Sequence, residues 1–185
     1  KFAQTKRDLV GTILVEPVQG RGGERVPPKG FLSGLRAICD RAGWLLIVDE
    51  IYTGLGRTGR IFACDHESVV PDLLCVGKGL ASGMPLSACM GLRRVFDAWP
   101  RSEGEALHTQ TFLGHPASCA AALASLEVAA ENDLAARSER LGREIRDRLA
   151  TDLRDASSVV EVRGLGLMIG IECRDDDTGT RSLLA

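Results

Sequence analysis

The chain has 185 residues, 44% of them hydrophobic and 26% charged, with a formal net charge of −2. That is room for one domain with a real core, or for one domain and part of another. The near-neutral balance gives no reason to expect nucleic acid or an anionic membrane as partner, and no apolar run approaches the ~20 residues needed to span a bilayer.

The chain opens with Lys1 rather than Met and stops at Ala185, just after a charged turn. It is expected to be a fragment, with part of its site supplied from elsewhere. No secretory signal opens it, so a cytoplasmic location is expected. The six cysteines, Cys39, Cys64, Cys75, Cys89, Cys119 and Cys173, form no C-x-x-C pair, and most sit inside apolar runs. They read as small hydrophobes in a reducing compartment rather than as disulfides or metal ligands.

In chain order, residues 12–15 form a short apolar run that suits a buried parallel strand. A loop covers 20–28. Leu32, Leu35, Ile38, Cys39 and Ala42 then recur at helical spacing. Residues 44–48 are a second buried strand ending at Asp49-Glu50, followed by a glycine-rich loop over 54–59. Residues 73–76 are a third strand ending at Gly77-Lys78-Gly79, and 87–92 a candidate fourth. Pro116 fits the first turn of a helix running to about Glu131, with Cys119, Leu123, Leu126 and Ala130 as its apolar stripe. A second helix begins near Asp133, with Leu134, Leu141, Ile145 and Leu149 facing inward. Residues 159–162 and 167–171 flank Gly164-Leu165-Gly166 as two strands of another sheet. Strands alternating with helices indicate an α/β fold with a mainly parallel sheet.

In open α/β sheets, ligands bind at the carboxyl ends of strands. Two such ends carry unusual residues here: Asp49 after the second strand and Lys78 after the third. A lysine between glycines lets a bulky group approach its amine closely. A partly neutral lysine amine forms a Schiff base with an aldehyde. A carboxylate beside a pyridine nitrogen keeps that ring protonated and makes it an electron sink, the arrangement pyridoxal 5'-phosphate requires. Singly, an aspartate at a strand end caps a loop and a lysine is a solvated charge. Their pairing on successive strand ends favours the cofactor reading.

The residues also resemble a family. Leu46-Ile47-Val48-Asp49-Glu50-Ile51, then Thr53-Gly54 and Gly56-Arg57-Thr58-Gly59, are similar to the aspartate segment of class III aminotransferases. Pro71-Asp72-Leu73, Gly77-Lys78-Gly79-Leu80, Gly83 and Pro85 are similar to its lysine segment. Val15-Glu16-Pro17-Val18-Gln19-Gly20 matches the strand and loop upstream. His108, Thr109, Thr111-Phe112, Gly114 and Pro116 match the segment downstream, and Arg163-Gly164-Leu165-Gly166-Leu167 the start of the C-terminal domain.

The resemblance implies a fold type I large domain over residues 1–131. A connecting helix and the beginning of a small α+β domain would occupy 132–185. It implies that Lys78 carries the cofactor and shuttles protons, that Asp49 pairs with the pyridinium nitrogen, and that Ile51 packs on one ring face. Thr111 would bind the cofactor phosphate of a neighbouring subunit, so a homodimer with shared sites is expected. The reaction would move an amino group from an amino acid or ω-amine donor to a 2-oxo acid.

The chain departs from the family pattern at three positions. Tyr52 stands where a glutamine usually lies near the ring hydroxyl, and its phenol can still hydrogen-bond there. Arg21 replaces a glutamate of ornithine- and 4-aminobutyrate-type members, which puts those two substrates in doubt. His115 replaces an asparagine and reads as a helix-start residue. Glu16 and Arg21 are the candidates for substrate contact. The same-subunit phosphate loop and the substrate-binding arginine have no match in the chain.

Two other readings compete. Gly54-Leu55-Gly56-Arg57-Thr58-Gly59 fits G-x-G-x-x-G, the phosphate loop of nicotinamide-dependent oxidoreductases. Asp49 to Thr53 separate it from its strand, however, and no clear helix follows Gly59. A truncated or inactive paralogue that only binds a partner is the non-enzymatic alternative.

Overall fold

The computed structural model describes residues 10–105 and 108–174. The two ends read from the sequence, the lead-in to the first strand and the turn before Ala185, lie outside the described residues. Strands β1 (Thr12–Val15), β2 (Leu45–Asp49), β3 (Leu73–Val76) and β4 (Ala88–Gly91) form one sheet in that order. The first three are parallel, and β4 returns antiparallel to β3. Helix α1 (Phe31–Ala42) makes the crossover from β1 to β2, and the short α2 (Arg93–Phe96) follows β4.

Alternation along β2 and β3 sets the layers. Leu46, Val48, Leu74 and Val76 are buried on one face, in a core with Leu32, Cys39, Trp44 and Leu80. Leu45, Ile47 and Asp49 on β2, with Leu73 and Cys75 on β3, lie on the other face and are only half-buried. The expectation of a buried first strand needs correction. Among the described residues β1 is an edge, paired on one side, and Leu14 is 65% exposed.

Asp72 ties the start of β3 to its surroundings. Its carboxylate accepts hydrogen bonds from Arg36 (2.7 Å), Arg94 (2.7 Å) and the Leu46 N–H (2.9 Å). Burial opposes its charge, but these donors outweigh it and hold Asp72 below the usual carboxylate range.

Helices α3 (Pro116–Glu131) and α4 (Leu134–Asp152) lead to a hairpin of β5 (Val159–Leu165) and β6 (Met168–Cys173). His115 begins α3 as expected of a helix-start residue: its Nδ1 lies 2.8 Å from the Ser118 hydroxyl and faces the Ser118 N–H. The inward faces of both helices differ from the apolar stripes. In α3 the buried residues are Ser118 and Ala122, while Leu123 and Leu126 are exposed. In α4 they are Ser138 and Gly142, while Leu134, Ile145 and Leu149 are half-buried and Leu141 is exposed. Small residues four apart let a helix approach neighbouring backbone closely, which larger side chains forbid. A Cβ on Gly142 would sit 1.8 Å from the Gly166 carbonyl oxygen.

Candidate active site

The carboxyl ends of β2 and β3 lie side by side. Asp49 pairs in register with Cys75, and the Glu50 N–H donates to the Cys75 carbonyl at 2.9 Å. The two acidic residues then part. Glu50 is 1% exposed, and its carboxylate accepts from the Thr53 hydroxyl and from the Cys64 N–H (2.8 Å). It fastens the loop after β2 to the core. Asp49 faces the opposite side. Its Oδ1 accepts from the Ile51 N–H at 3.0 Å, and its Oδ2 has no hydrogen-bond partner among the described residues.

Lys78 begins a 3₁₀ turn, Lys78–Ala81, directly beyond β3. Its φ of 42° lies in the left-handed region, which costs a non-glycine residue about 1–2 kcal/mol. Glu24, Leu55 and Ser82 share that region and line the same two clefts as Lys78. Backbone held in sparsely populated conformations clusters where a site is pre-organised.

Tyr52 sits between the two loops. The Lys78 Nζ lies 4.6 Å from its ring centroid. The ring also packs against Gly20, where a Cβ would stand 2.5 Å from the Tyr52 Cδ1. The Gly20 N–H in turn donates to the Glu16 carboxylate at 2.9 Å, and the Gly20 carbonyl accepts from Gly23 (3.0 Å) and Glu24 (3.1 Å). A cleft of about 350 Å³ is lined by Glu16, Gly20, Arg21, Glu24, Tyr52 and Lys78. A second, of about 500 Å³, includes Ile51, Tyr52, Lys78 and Arg57.

The structure thus gathers Lys78, Tyr52, Ile51, Glu16 and Arg21 about two clefts that share Tyr52 and Lys78; Asp49, one strand over, lines neither. It does not bring Thr111 to them. Thr111 lies on an exposed turn before α3 and lines neither cleft. Glu24 is a cleft residue that sequence reasoning missed; only its place in a glycine-rich loop hinted at it. Glu16 accepts from the Gly20 N–H, so one of its oxygens holds the turn.

The rival loop at Gly54–Gly59 is occupied by protein. A Cβ on Gly54 would meet the Glu50 carbonyl at 2.8 Å, and one on Gly59 the Glu139 side chain at 2.5 Å. The Arg57 carbonyl accepts from the Ser138 hydroxyl and from the Leu167 N–H, both at 2.9 Å. These glycines serve close packing between the loop, α4 and the β5–β6 turn. They do not cradle a pyrophosphate.

A lysine and a carboxylate lie at the ends of adjacent parallel strands of an α/β sheet, with an aromatic against the lysine, an arrangement whose chemistry suits an aldehyde-bearing pyridine ring. Comparison with known proteins agrees. The family described as aminotransferase class-III matches residues 1–185, and the chain belongs to that family. Its fold is that of the fold type I aminotransferases.

Among solved structures, it is similar to the ornithine aminotransferase of Toxoplasma gondii (44% identity, TM-score 0.83), covering 88% of this chain and 38% of that one. The acetylornithine aminotransferase of Elizabethkingia anophelis is 36% identical with a TM-score of 0.90, covering 99% and 47%. An (S)-enantioselective omega-transaminase of Thermomicrobium roseum is 33% identical with a TM-score of 0.87, covering 95% and 39%. The chain therefore spans less than half the length of these relatives.

Proposed function

We propose that the protein containing this chain is a pyridoxal-phosphate-dependent aminotransferase that moves an amino group from an amino acid or ω-amine donor to a 2-oxo acid. The observation that carries this is the placement of Lys78 and Asp49 at the carboxyl ends of neighbouring parallel strands, with one Asp49 oxygen lacking a hydrogen-bond partner among the described residues. The Toxoplasma gondii relative is described with pyridoxal phosphate at its active site, and the residues here fit the same group.

When bound, the cofactor supplies an aldehyde and an electron sink. The Lys78 Nζ would hold the group through its aldehyde, and the same amine would serve as base and acid for the proton at the substrate carbon bearing nitrogen. The Asp49 oxygen that has no partner among the described residues would hold the proton on the ring nitrogen. Ile51 packs against the ring, and the Tyr52 hydroxyl serves the ring oxygen. Arg21 and Glu16, on the rim of the Lys78 cleft, meet the substrate.

The same reading makes residues 1–131 part of the cofactor-binding large domain, with 132–185 the connecting helix and the start of the small one. Thr111, exposed and away from its own Lys78, serves the phosphate of a second subunit, which makes the working unit a homodimer. A cytoplasmic location belongs to the same proposal; no described helix is long and apolar enough to cross a membrane.

The test is direct. Full-length protein reduced with borohydride is expected to carry the pyridoxyl mass on the peptide containing Lys78, and Lys78→Ala to abolish transamination. Label on any other lysine overturns the assignment.

A further inference from the structure

We propose that Cys75 and Cys89 are a redox-active pair that closes a reversible disulfide between β3 and β4, beside Asp49 and around the Lys78 turn. This rests on strand register and stands apart from the function proposed above.

Cys75 and Cys89 are direct partners in the antiparallel ladder. The Leu92 N–H donates to the Asp72 carbonyl at 3.1 Å, which makes Asp72 and Leu92 a hydrogen-bonded pair. Such pairs alternate with non-hydrogen-bonded ones, so Cys75 faces Cys89 at a non-hydrogen-bonded position. The backbone of Cys75 agrees, because its carbonyl turns the other way and accepts from Glu50 on β2. Residues at such positions have Cα atoms about 4.5 Å apart with side chains on the same face, inside the ~4.4–6.8 Å window of disulfides. All six cysteines are free thiols, and among them Cys89 is the exposed one.

The two thiols also differ in reactivity. Burial first, then the neighbouring Cys89 and then the charge of Asp49, push the Cys75 thiol up. Cys75 is half-covered, while Cys89 is exposed. With a peroxide as oxidant, the Cys89 sulfur attacks the O–O bond, becomes a sulfenic acid and releases one water. The Cys75 sulfur then attacks that sulfur, loses its proton and expels the second water. Two thiols and one hydrogen peroxide give one disulfide and two waters, and a dithiol reductant reverses it. The chain between the two cysteines carries Lys78, so the bond ties both ends of the lysine turn together.

The experiment uses the reduced full-length protein, treated with hydrogen peroxide and alkylated before digestion without reductant. Cys64 and Cys75 share one tryptic peptide, so fragment ions must place the bond. The expected result is a cross-link between Cys75 and Cys89, two hydrogens lighter than the thiols, absent after dithiothreitol. Cys89→Ser changes an exposed position and preserves the fold; in it Cys75 is expected to remain alkylatable after peroxide. A bond from Cys64, or Cys75 left fully alkylatable in oxidised wild type, overturns the proposal.

Discussion

Replacing Gly20 by alanine tests whether the Gly20–Tyr52–Lys78 stack sets the site. Gly20 does not need glycine's backbone freedom, since it is not among the residues with positive φ. The effect of a methyl group there is therefore steric. The new Cβ would lie 2.5, 3.0 and 3.3 Å from three carbons of the Tyr52 ring, where about 3.5–4.0 Å is comfortable. The ring must move by ~1 Å. Tyr52 is 41% exposed and can swing toward solvent, so the stability cost falls near the low end of the ~1–3 kcal/mol for overpacking. Swinging away also breaks the contact with the Lys78 ammonium, which contributes about 0.5–1 kcal/mol at an exposed site. A displacement of ~1 Å next to the reacting amine lowers kcat/KM by ~10–100-fold. Chemical denaturation and steady-state kinetics of the full-length enzyme read both effects. In Gly20→Ala/Tyr52→Ala the clash is gone, so the double variant should be no worse than Tyr52→Ala alone. Wild-type kcat/KM in Gly20→Ala, or a full loss from Gly20→Ala in the Tyr52→Ala background, refutes the reasoning.

Three further substitutions probe the site and its support. Asp49→Asn keeps shape and removes charge, and is expected to raise the barrier to substrate deprotonation by several kcal/mol, about 10²–10³-fold or more in kcat; near wild-type turnover would reject the pyridinium role. Arg21→Glu replaces attraction with repulsion on the cleft rim. It is expected to raise KM for an acidic substrate more than for a neutral amine, and equal effects on both would return Arg21 to solvent. Asp72→Asn leaves Arg36 and Arg94 without their shared anion; with Arg94 68% exposed, the cost is about 2–3 kcal/mol, below the ~3–5 of a fully buried pair. Because Asp72 titrates below its unfolded value, its contribution is present above the ordinary carboxylate range and lost as pH falls through the folded pKa. The variant's acid limb in denaturation should be flatter than the wild type's.

What could be read in the sequence was what depends on local pattern. The runs ending in Asp49 and Gly77-Lys78 identify buried strands and put their polar residues at carboxyl ends, and α3 and α4 begin where Pro116 and Asp133 indicate. The helix faces were not legible. An apolar stripe predicts burial by hydrophobicity, whereas α3, packed over the Lys78–Ala81 turn, buries Ser118 and Ala122 rather than its leucines, where lack of bulk decides. Gly142 and Gly166 likewise meet backbone to backbone, a contact that hydropathy does not encode. The stack of Gly20 on Tyr52 joins residues from two loops, and nothing in the sequence spacing announces it.

The adjacent pair Asp49-Glu50 shows why one carboxylate is committed to the core while the other is left for the role proposed for it. Neighbours on a strand point to opposite faces. Glu50 falls on the core side, where an unpaired charge is costly, and both its oxygens are taken by Thr53 and Cys64. Buried and held at both oxygens, it fastens the loop. Asp49 falls on the half-buried side with one oxygen committed to Ile51 and the other without a partner among the described residues. Shifting the strand by one residue would exchange these roles, burying Asp49 without partners and leaving Glu50 at the site. Registry with β3, fixed by Ile47–Leu73, Val48–Leu74 and Asp49–Cys75, is therefore part of the site. The same loop that Glu50 anchors carries Tyr52, so the buried carboxylate positions the ring that meets Lys78 while the other remains available to a ligand.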